Sequence, residues 1–468
     1  MSFPQDKIKN ILIIRPDAIG DLVLITPALH ALRKNFPKAR ISILVQKYTS
    51  DLVNVHPDID EVIIDDIREK KVNSLKDYFN YVRKIKEKRF DLGIDFYSFD
   101  YRYPLLMLLA GIPYRVGDRS RVMLSFFYNW GTILKYKDYT KHMVELHLEL
   151  LKKLGIEEKN PQLNVYIPEE IILKFKVRLS ELGISDSDFL IGIHPGCGAS
   201  RPWDSNGYAE LCDALRQKFG AKVIITGGPR EREKAAEIIS LCKSKPINLV
   251  EKTSLAELSA LIKRFNLYIG VDTGPIHLAA ALGTPLVLLL LAKNVKPVRW
   301  GPWKTRHFIL YPHPASGCPL YCDPGKCRES YCSDKLTVSN ILDAAERLKK
   351  NDPGNSLEDW RKMSYNILLI SEKSELADKV VSQVKSKGFN ISLLPPEQIG
   401  GVKKLLKIIE TKNILILHQL GNKARVTTWF ANLLSGIYTT NATVLVRGYH
   451  ESKNIFDQYY KAFNNSLL

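Results

Sequence analysis

Between Ile11 and Leu290 the chain repeatedly places a short, nearly continuous run of Val, Ile and Leu before a segment whose apolar residues fall at helical spacing. Such runs suit strands buried on both faces, and strands of that kind need helices above and below them. The pattern predicts an α/β protein built on parallel sheets. In the first part, strands are expected at 11–14, 41–45, 62–64 and 92–96, with helices at 21–36, 77–88, 103–110 and 141–154. The 77–88 helix is basic and amphipathic. Gly111-Ile112-Pro113 and Gly155 end the last two helices. After Pro168 a helix at 169–182 leads to strands at 189–194, 222–226, 247–250, 267–271 and 286–290. Helices are expected between them at 209–219, 231–241, 255–264 and 275–282, and a further one near 339–349.

At 468 residues the chain is too long for a single core. One lobe is expected over 1–167 and a second over 168–350. The composition Asn351-Asp352-Pro353-Gly354-Asn355-Ser356 reads as a linker, drawn at 351–362. Beyond it, 363–468 reads as a small accessory α/β domain with strands at 366–370, 390–394, 414–417 and 442–446. Its opening, Asn366-Ile367-Leu368-Leu369-Ile370, echoes Asn10-Ile11-Leu12-Ile13-Ile14, but no Gly-Asp turn follows.

The longest apolar run, 285–292, is far short of the roughly 18 residues of a membrane span. No apolar signal segment opens the chain, so a cytoplasmic location is expected. The net charge is +18. That is either a lysine-rich solvated surface or a sign of a polyanionic partner: nucleic acid, an anionic membrane face or a phosphorylated substrate. The charge concentrates in two places. Residues 102–141 hold seven Lys/Arg against Asp118 and Asp138, and 361–468 hold 15 Lys/Arg against seven Asp/Glu. No helix-turn-helix, RNP-type or zinc-finger pattern is present, so no nucleic-acid partner is expected.

Seven cysteines are present. Cys197, Cys212 and Cys242 are scattered and read as reduced residues. Cys318, Cys322, Cys327 and Cys332 cluster without the tight C-x2-C of most zinc knuckles. A structural staple or metal site is one reading of that cluster; reduced loop thiols are the one its spacing favours.

Four strand exits carry candidate chemistry. Asp21 follows Gly20 at a strand-to-helix turn, where it serves either as a first-turn carboxylate favoured by the helix dipole or as a general base in a cleft. Asp272-Thr273-Gly274-Pro275-Ile276-His277 is more specific. Gly274 permits close backbone approach, and Pro275 fits the first helical turn. The free N–H groups of Thr273 and Gly274 would face an anion, with His277 one turn on. Simple capping by Asp272 and Thr273 explains neither the glycine nor the histidine. His194-Pro195-Gly196-Cys197-Gly198-Ala199-Ser200-Arg201-Pro202-Trp203 offers a backbone anion nest and an arginine for phosphate. Thr226-Gly227-Gly228-Pro229-Arg230-Glu231 is another glycine turn before a helix. Several such turns in one lobe make a nucleotide site the default reading.

These motifs resemble the bacterial heptosyltransferase family, glycosyltransferase family 9. Arg15-Pro16-Asp17-Ala18-Ile19-Gly20-Asp21-Leu22, followed by Thr26-Pro27-Ala28-Leu29, looks like its opening. The 272–277 turn, continued as Leu278-Ala279-Ala280-Ala281-Leu282-Gly283-Thr284-Pro285, looks like its sugar-nucleotide motif. The resemblance runs from about Ile8 to Leu348 and leaves the third segment outside. It implies a GT-B fold, two Rossmann-like lobes with a cleft between them. It also implies an inverting, metal-independent transfer, typically of L-glycero-D-manno-heptose from an ADP-sugar onto the lipopolysaccharide inner core.

By the same resemblance, Asp21 matches the catalytic base, and Asp272, Thr273, Gly274 and His277 match sugar-diphosphate contacts. Arg201 stands where a lysine is usual, and Glu231 is a looser match to a residue near the nucleotide ribose. Leu291-Ala292-Lys293-Asn294 replaces the family's usual glycine-rich turn. The cysteine cluster recurs in some members and does not identify the acceptor. No cofactor is expected beyond the ADP-sugar substrate, with a structural metal confined, if anywhere, to the cysteines. The expected acceptor is a lipid-linked or phosphorylated glycan at the inner-membrane face. Transfer of another sugar to another glycan, or non-catalytic binding of a sugar nucleotide, are the alternatives.

Overall fold

The computed structural model of the protein describes residues 3–96, 100–120, 126–134, 141–196, 203–291, 297–310 and 336–356, together with the strands and a few helical positions beyond. The chain divides after Gly354 into two compact units, one carrying the first two sheets and the other the third. Gly354 marks that division physically. It bridges to His307 at a φ of +78°, and a Cβ there would fall 1.8 Å from the His307 carbonyl oxygen, so only glycine fits.

The first sheet holds five parallel strands, β1 (Asn10–Ile14), β2 (Arg40–Val45), β3 (Glu61–Ile64), β4 (Leu92–Asp95) and β5 (Tyr114–Val116). Their order is β3-β2-β1-β4-β5. The chain winds outward from β1 to β3 and then restarts on the other side of β1. The carboxyl end of β1 therefore lies at a topological switch point, where open α/β sheets bind ligands. Helix α3 (Leu75–Glu87) buries Tyr78, Tyr81, Val82 and Ile85 against Leu12, Ile14 and Leu44 of this sheet.

The second sheet repeats the scheme with β6 (Leu190–His194), β7 (Lys222–Ile225), β8 (Ile247–Asn248), β9 (Leu267–Val271), β10 (Leu286–Leu289) and β11 (His307–Leu310). Its order is β11-β10-β9-β6-β7-β8, so its switch point falls between β6 and β9. The exits of those two strands are His194 and Asp272. Cys212 and Cys242 are free and buried in this lobe. The segment after β10 returns to the first lobe, where His142 Nε2 meets the Gly301 carbonyl at 2.9 Å and Trp303 Nε1 donates to the Pro161 carbonyl at 3.0 Å.

One helix expected over 21–36 is in fact two, α1 (Ile19–Leu24) and α2 (Thr26–Asn35), meeting at Ile25. Pro27 is the cause. It lacks the N–H that would bond the Val23 carbonyl. The Thr26 hydroxyl takes over, donating to that carbonyl at 2.8 Å, and its oxygen also accepts from the Asn164 N–H at 3.0 Å. The helix expected at 141–154 is likewise shorter: Met143–Leu151 is α-helical, and a 3₁₀ turn follows to left-handed Gly155.

The third sheet has β12 (Asn366–Ile370), β13 (Asn390–Leu394), β14 (Ile414–Gln419) and β15 (Val444–Val446) in the order β13-β12-β14-β15. Three are parallel; β15 runs antiparallel to β14.

Candidate active site

β1 exits through Arg15 into the turn that starts α1. Ala18, at the N-cap, has no side-chain bond to offer, so the first turn of α1 is open. Asp21 sits in that turn with about a quarter of its side chain exposed. Its carboxylate is held from beneath by Arg15, whose own side chain is only 1% exposed. Nη2 of Arg15 donates to Asp21 Oδ1 at 2.8 Å and Nε to the Asp21 carbonyl at 3.3 Å, while Nη1 donates to the Phe96 carbonyl. The same guanidinium lies 3.3 Å from Asp17 Oδ2, and Arg68 approaches Asp17 Oδ1 at 3.7 Å. Burial holds the Asp17 carboxyl above its usual range, with the Arg15 charge opposing and the Asp21 charge adding. Arg15 has no assigned role in the sequence reading. An arginine at a buried strand exit, six residues before a candidate base, was the available signal.

In the second lobe, helix α4 (Gly274–Ala281) begins at Thr273, whose side chain does not cap it. The Thr273 hydroxyl turns back to the Val271 carbonyl at 3.2 Å. Pro275 has no N–H, so the open donors are the backbone N–H groups of Thr273 and Gly274. The Thr273 side chain therefore does not cap the helix, and its first N–H groups stay open. Asp272 lies beside them. Burial, with the Asp21 charge adding to it, pushes its carboxyl up to about 7.

The two turns touch. A Cβ on Gly274 would lie 2.6 Å from Ile19 Cβ and 3.2 Å from the Gly20 nitrogen. A Cβ on Gly20 would lie 2.6 Å from His277 Cδ2. Both positions are glycine because α1 and α4 cross there backbone to backbone. His277 is 4% exposed, and its Nδ1 has no partner. Burial pushes the imidazole down to about 4 against the pull of Asp21, so it is neutral near pH 7. It can hydrogen-bond an anion but brings no charge to it.

Two further features lie at the strand exits near the crossing. The buried His194 at the end of β6 has an unpartnered Nδ1, and burial lowers its pKa while Glu231 pulls it up. A Cβ on Gly196 would sit 2.8 Å from His194 Nε2 and 3.1 Å from Glu231 Oε1. The other Glu231 oxygen accepts from the Gly228 N–H at 2.8 Å, which fixes the carboxylate. Across the cleft, burial and then the charges of Asp21 and Asp17 raise the Tyr48 phenol, with Arg230 opposing them. Tyr48 and Arg230, from opposite lobes, thus share one electrostatic neighbourhood; neither is assigned from sequence.

Asp21, Asp272, Thr273, Gly274 and His277 come together at the crossing, and Glu231 lies at the neighbouring strand exit. Arg201 lies outside the described residues, as do Cys318, Cys322, Cys327 and Cys332. Among the described residues no cluster of three or more His, Cys, Asp or Glu is placed to hold a metal ion.

Two Rossmann-like lobes joined at such a crossing have the GT-B architecture of many glycosyltransferases. The chain belongs to glycosyltransferase family 9 (heptosyltransferase), whose sequence model matches residues 78–318. A putative glycosyltransferase of Haemophilus influenzae is 30% identical over 63% of this chain and 86% of its own length. Lipopolysaccharide heptosyltransferase 3 of Escherichia coli is 29% identical over 62% and 84%. Among solved structures, a family 9 glycosyltransferase from Veillonella parvula superposes with a TM-score of 0.67 at 25% identity, covering 75% of this chain and 99% of the other. The E. coli ADP-heptose lipopolysaccharide heptosyltransferase II superposes with a TM-score of 0.60 at 22% identity, covering 73% and 99%.

Proposed function

We propose that this lipopolysaccharide heptosyltransferase-like enzyme moves a heptose from ADP-heptose to a hydroxyl of a lipopolysaccharide-core acceptor, with inversion at the anomeric carbon. The observation that supports the reading is the Gly20–Gly274 crossing, where the turn that carries Asp21 packs against the turn with the open N–H groups of Thr273 and Gly274. The names borne by relatives supply the sugar and the nucleotide.

In this mechanism Asp21 takes the proton from the acceptor hydroxyl, whose oxygen attacks the anomeric carbon from the face opposite the diphosphate. The bond from that carbon to the diphosphate oxygen breaks, and ADP departs with the electron pair. Its growing charge is met by the start of α4, by a hydrogen bond from neutral His277 and by the Arg201 guanidinium. Arg15 holds Asp21 in one orientation while doing so. Glu231, fixed through one oxygen, turns the other toward the nucleotide ribose. These groups supply the leaving-group stabilisation without a divalent ion.

The acceptor in this reading is lipid-linked, and the enzyme works in the cytoplasm as a peripheral protein of the inner-membrane face. The net charge of +18 favours that surface, and among the described residues no helix is long and apolar enough to cross a membrane.

The test incubates the enzyme with ADP-heptose and heptose-deficient lipopolysaccharide core, with and without EDTA, and identifies the product by mass spectrometry and its anomeric configuration by NMR. ADP release with an inverted heptosyl product in EDTA supports the reading. Transfer from another sugar nucleotide only, retention of configuration or a strict divalent-ion requirement each overturns the corresponding part. Arg201→Ala and His277→Ala should both weaken ADP binding by calorimetry; unchanged affinity in both would displace the diphosphate site.

A further inference from the structure

The basic amphipathic helix read from the sequence, α3, has no part in the chemistry above, yet its outer face is unusual. Leu75 is 78% exposed and Phe79 57%, one helical turn apart. Lys76, Arg83 and Lys86 are exposed on the same side and form no ion pair among the described residues. The acid in the first turn, Asp77, is tied up locally: it accepts from the Ser74 hydroxyl at 2.7 Å and from the Asn73 N–H at 3.3 Å. Tyr101, 63% exposed, adjoins this end of α3, because Tyr78 donates to the carbonyl of its neighbour Arg102 at 2.6 Å. A surface that leaves a leucine and two aromatics this open, flanked along the helix by three cations and a single further acid, Glu87, calls for an occupant.

The apolar end of the patch, Leu75 and Phe79, also lies at the working end of its lobe, with Arg83 and Lys86 running back along the helix. β1, β3 and β4 are parallel, so their carboxyl ends share one edge of the sheet, and the chain leaving β3 and β4 begins its helices at that edge. Arg68, on the segment between β3 and α3, reaches Asp17 in the Asp21 turn.

We infer that the outer face of α3, Leu75 and Phe79 with Lys76, Arg83 and Lys86, together with Tyr101, is the surface by which this enzyme docks on an anionic phospholipid bilayer. The inference rests on the membrane-bound acceptor proposed above and names the contact that reading lacks. Charge complementarity selects the occupant. Unpaired cations around an apolar centre match anionic headgroups over an acyl boundary, with the lysine and arginine stems running along the apolar surface. A second copy of the chain would face this patch with the same cations and a net charge of +18, and repulsion opposes that pairing. The apolar end of the patch, at the edge of the sheet that carries the Asp21 turn, would bring a lipid-linked acceptor towards Asp21 without lifting it far from the bilayer.

The experiment uses the full-length protein and sedimentation with vesicles of phosphatidylcholine, with and without phosphatidylglycerol. The wild type should partition onto the mixed vesicles and not onto pure phosphatidylcholine. L75E/F79E should lower that partitioning about tenfold or more, removing chiefly the part that survives high salt. K76Q/R83Q/K86Q should lower it at low salt and flatten its salt dependence. Calorimetric ADP affinity should be unchanged in both variants, which shows that the fold and the donor site are intact. Partitioning of L75E/F79E within twofold of wild type would overturn the proposal. So would a wild-type dimer in sedimentation velocity that L75E/F79E dissolves, since the patch would then join two copies. Failure of the heptosyl reading would appear only in the transfer assay and would leave the vesicle result standing.

Discussion

Arg15 Nη2 donates to Asp21 Oδ1 at 2.8 Å from a guanidinium that is almost wholly withdrawn from solvent. The pair is asymmetric. Arg15 is committed to the Asp21 carboxylate and carbonyl, Asp17 and the Phe96 carbonyl, whereas Asp21 keeps its second carboxylate oxygen and open access to the cleft. In the proposed role of general base, a carboxylate so held accepts a proton without first reorienting, which is what electrostatic preorganisation requires.

If Asp21 is the base proposed above, Asp21→Asn should lower transfer by about 10²–10⁴-fold while ADP affinity stays near wild type. Arg15→Ala should be worse for the protein as a whole, since it leaves the partly buried Asp17 and Asp21 carboxylates and the Phe96 carbonyl without their shared donor, at a cost of about 1–3 kcal/mol. Thermal unfolding of the two variants beside their turnover separates the roles. An Asp21→Asn enzyme turning over at the wild-type rate would remove Asp21 from the chemistry.

Gly274→Ala should be the most damaging single methyl group in the cleft. Its Cβ meets Ile19 Cβ and the backbone of Gly20, neither of which can rotate away. Gly20→Ala meets the edge of the His277 ring, which has more freedom to yield. Overpacking of this kind costs about 1–3 kcal/mol. Gly274→Ala should lose more turnover than Gly20→Ala, read as kcat at saturating donor; the reverse order would mean the crossing opens during the reaction.

Burial pushes the Asp272 carboxyl up to about 7, so in the proposed donor site it should make binding pH-dependent. A diphosphate beside it favours the protonated form, so binding takes up a proton once the free group is ionised. Affinity should therefore hold near pH 7 and fall as pH rises beyond it, by up to about tenfold per pH unit. Calorimetry of ADP binding between pH 7 and 9, in buffers of differing ionisation enthalpy, measures both the slope and the proton. Asp272→Asn should flatten the profile. His277, down at about 4, adds nothing in this window.

Truncation after Asn355 should leave a folded protein that binds ADP, because the compact unit carrying both lobes ends at Gly354. The removed part is basic, so vesicle binding should weaken most at low salt. Aggregation or loss of ADP binding would place the third segment within the catalytic core.

The apolar runs made the central strands of each sheet legible, since β1, β2, β6, β9 and β10 are buried along almost their whole length. The edge strands β5 and β11 were not read. Each is short, and each pairs on one side only, so partner and position rather than composition create them. Pro27 and Thr26 were in plain view, but the bend they make depends on a hydroxyl finding a carbonyl. The motif residues of the site were legible as turns. That α1 and α4 cross at two glycines was not, because no local pattern reports which distant backbone a glycine admits. For the same reason the role of Arg15 appeared only with its burial and the Phe96 carbonyl.

Thr26 has a consequence that reaches beyond its own bend. One oxygen atom bonds both the Val23 carbonyl, at the foot of α1, and the Asn164 N–H in the stretch that leads from the first sheet to the second. The tether between the lobes and the helix that carries Asp21 are thereby pinned to the same atom, so a single hydroxyl sets both where that helix ends and where the crossing chain runs.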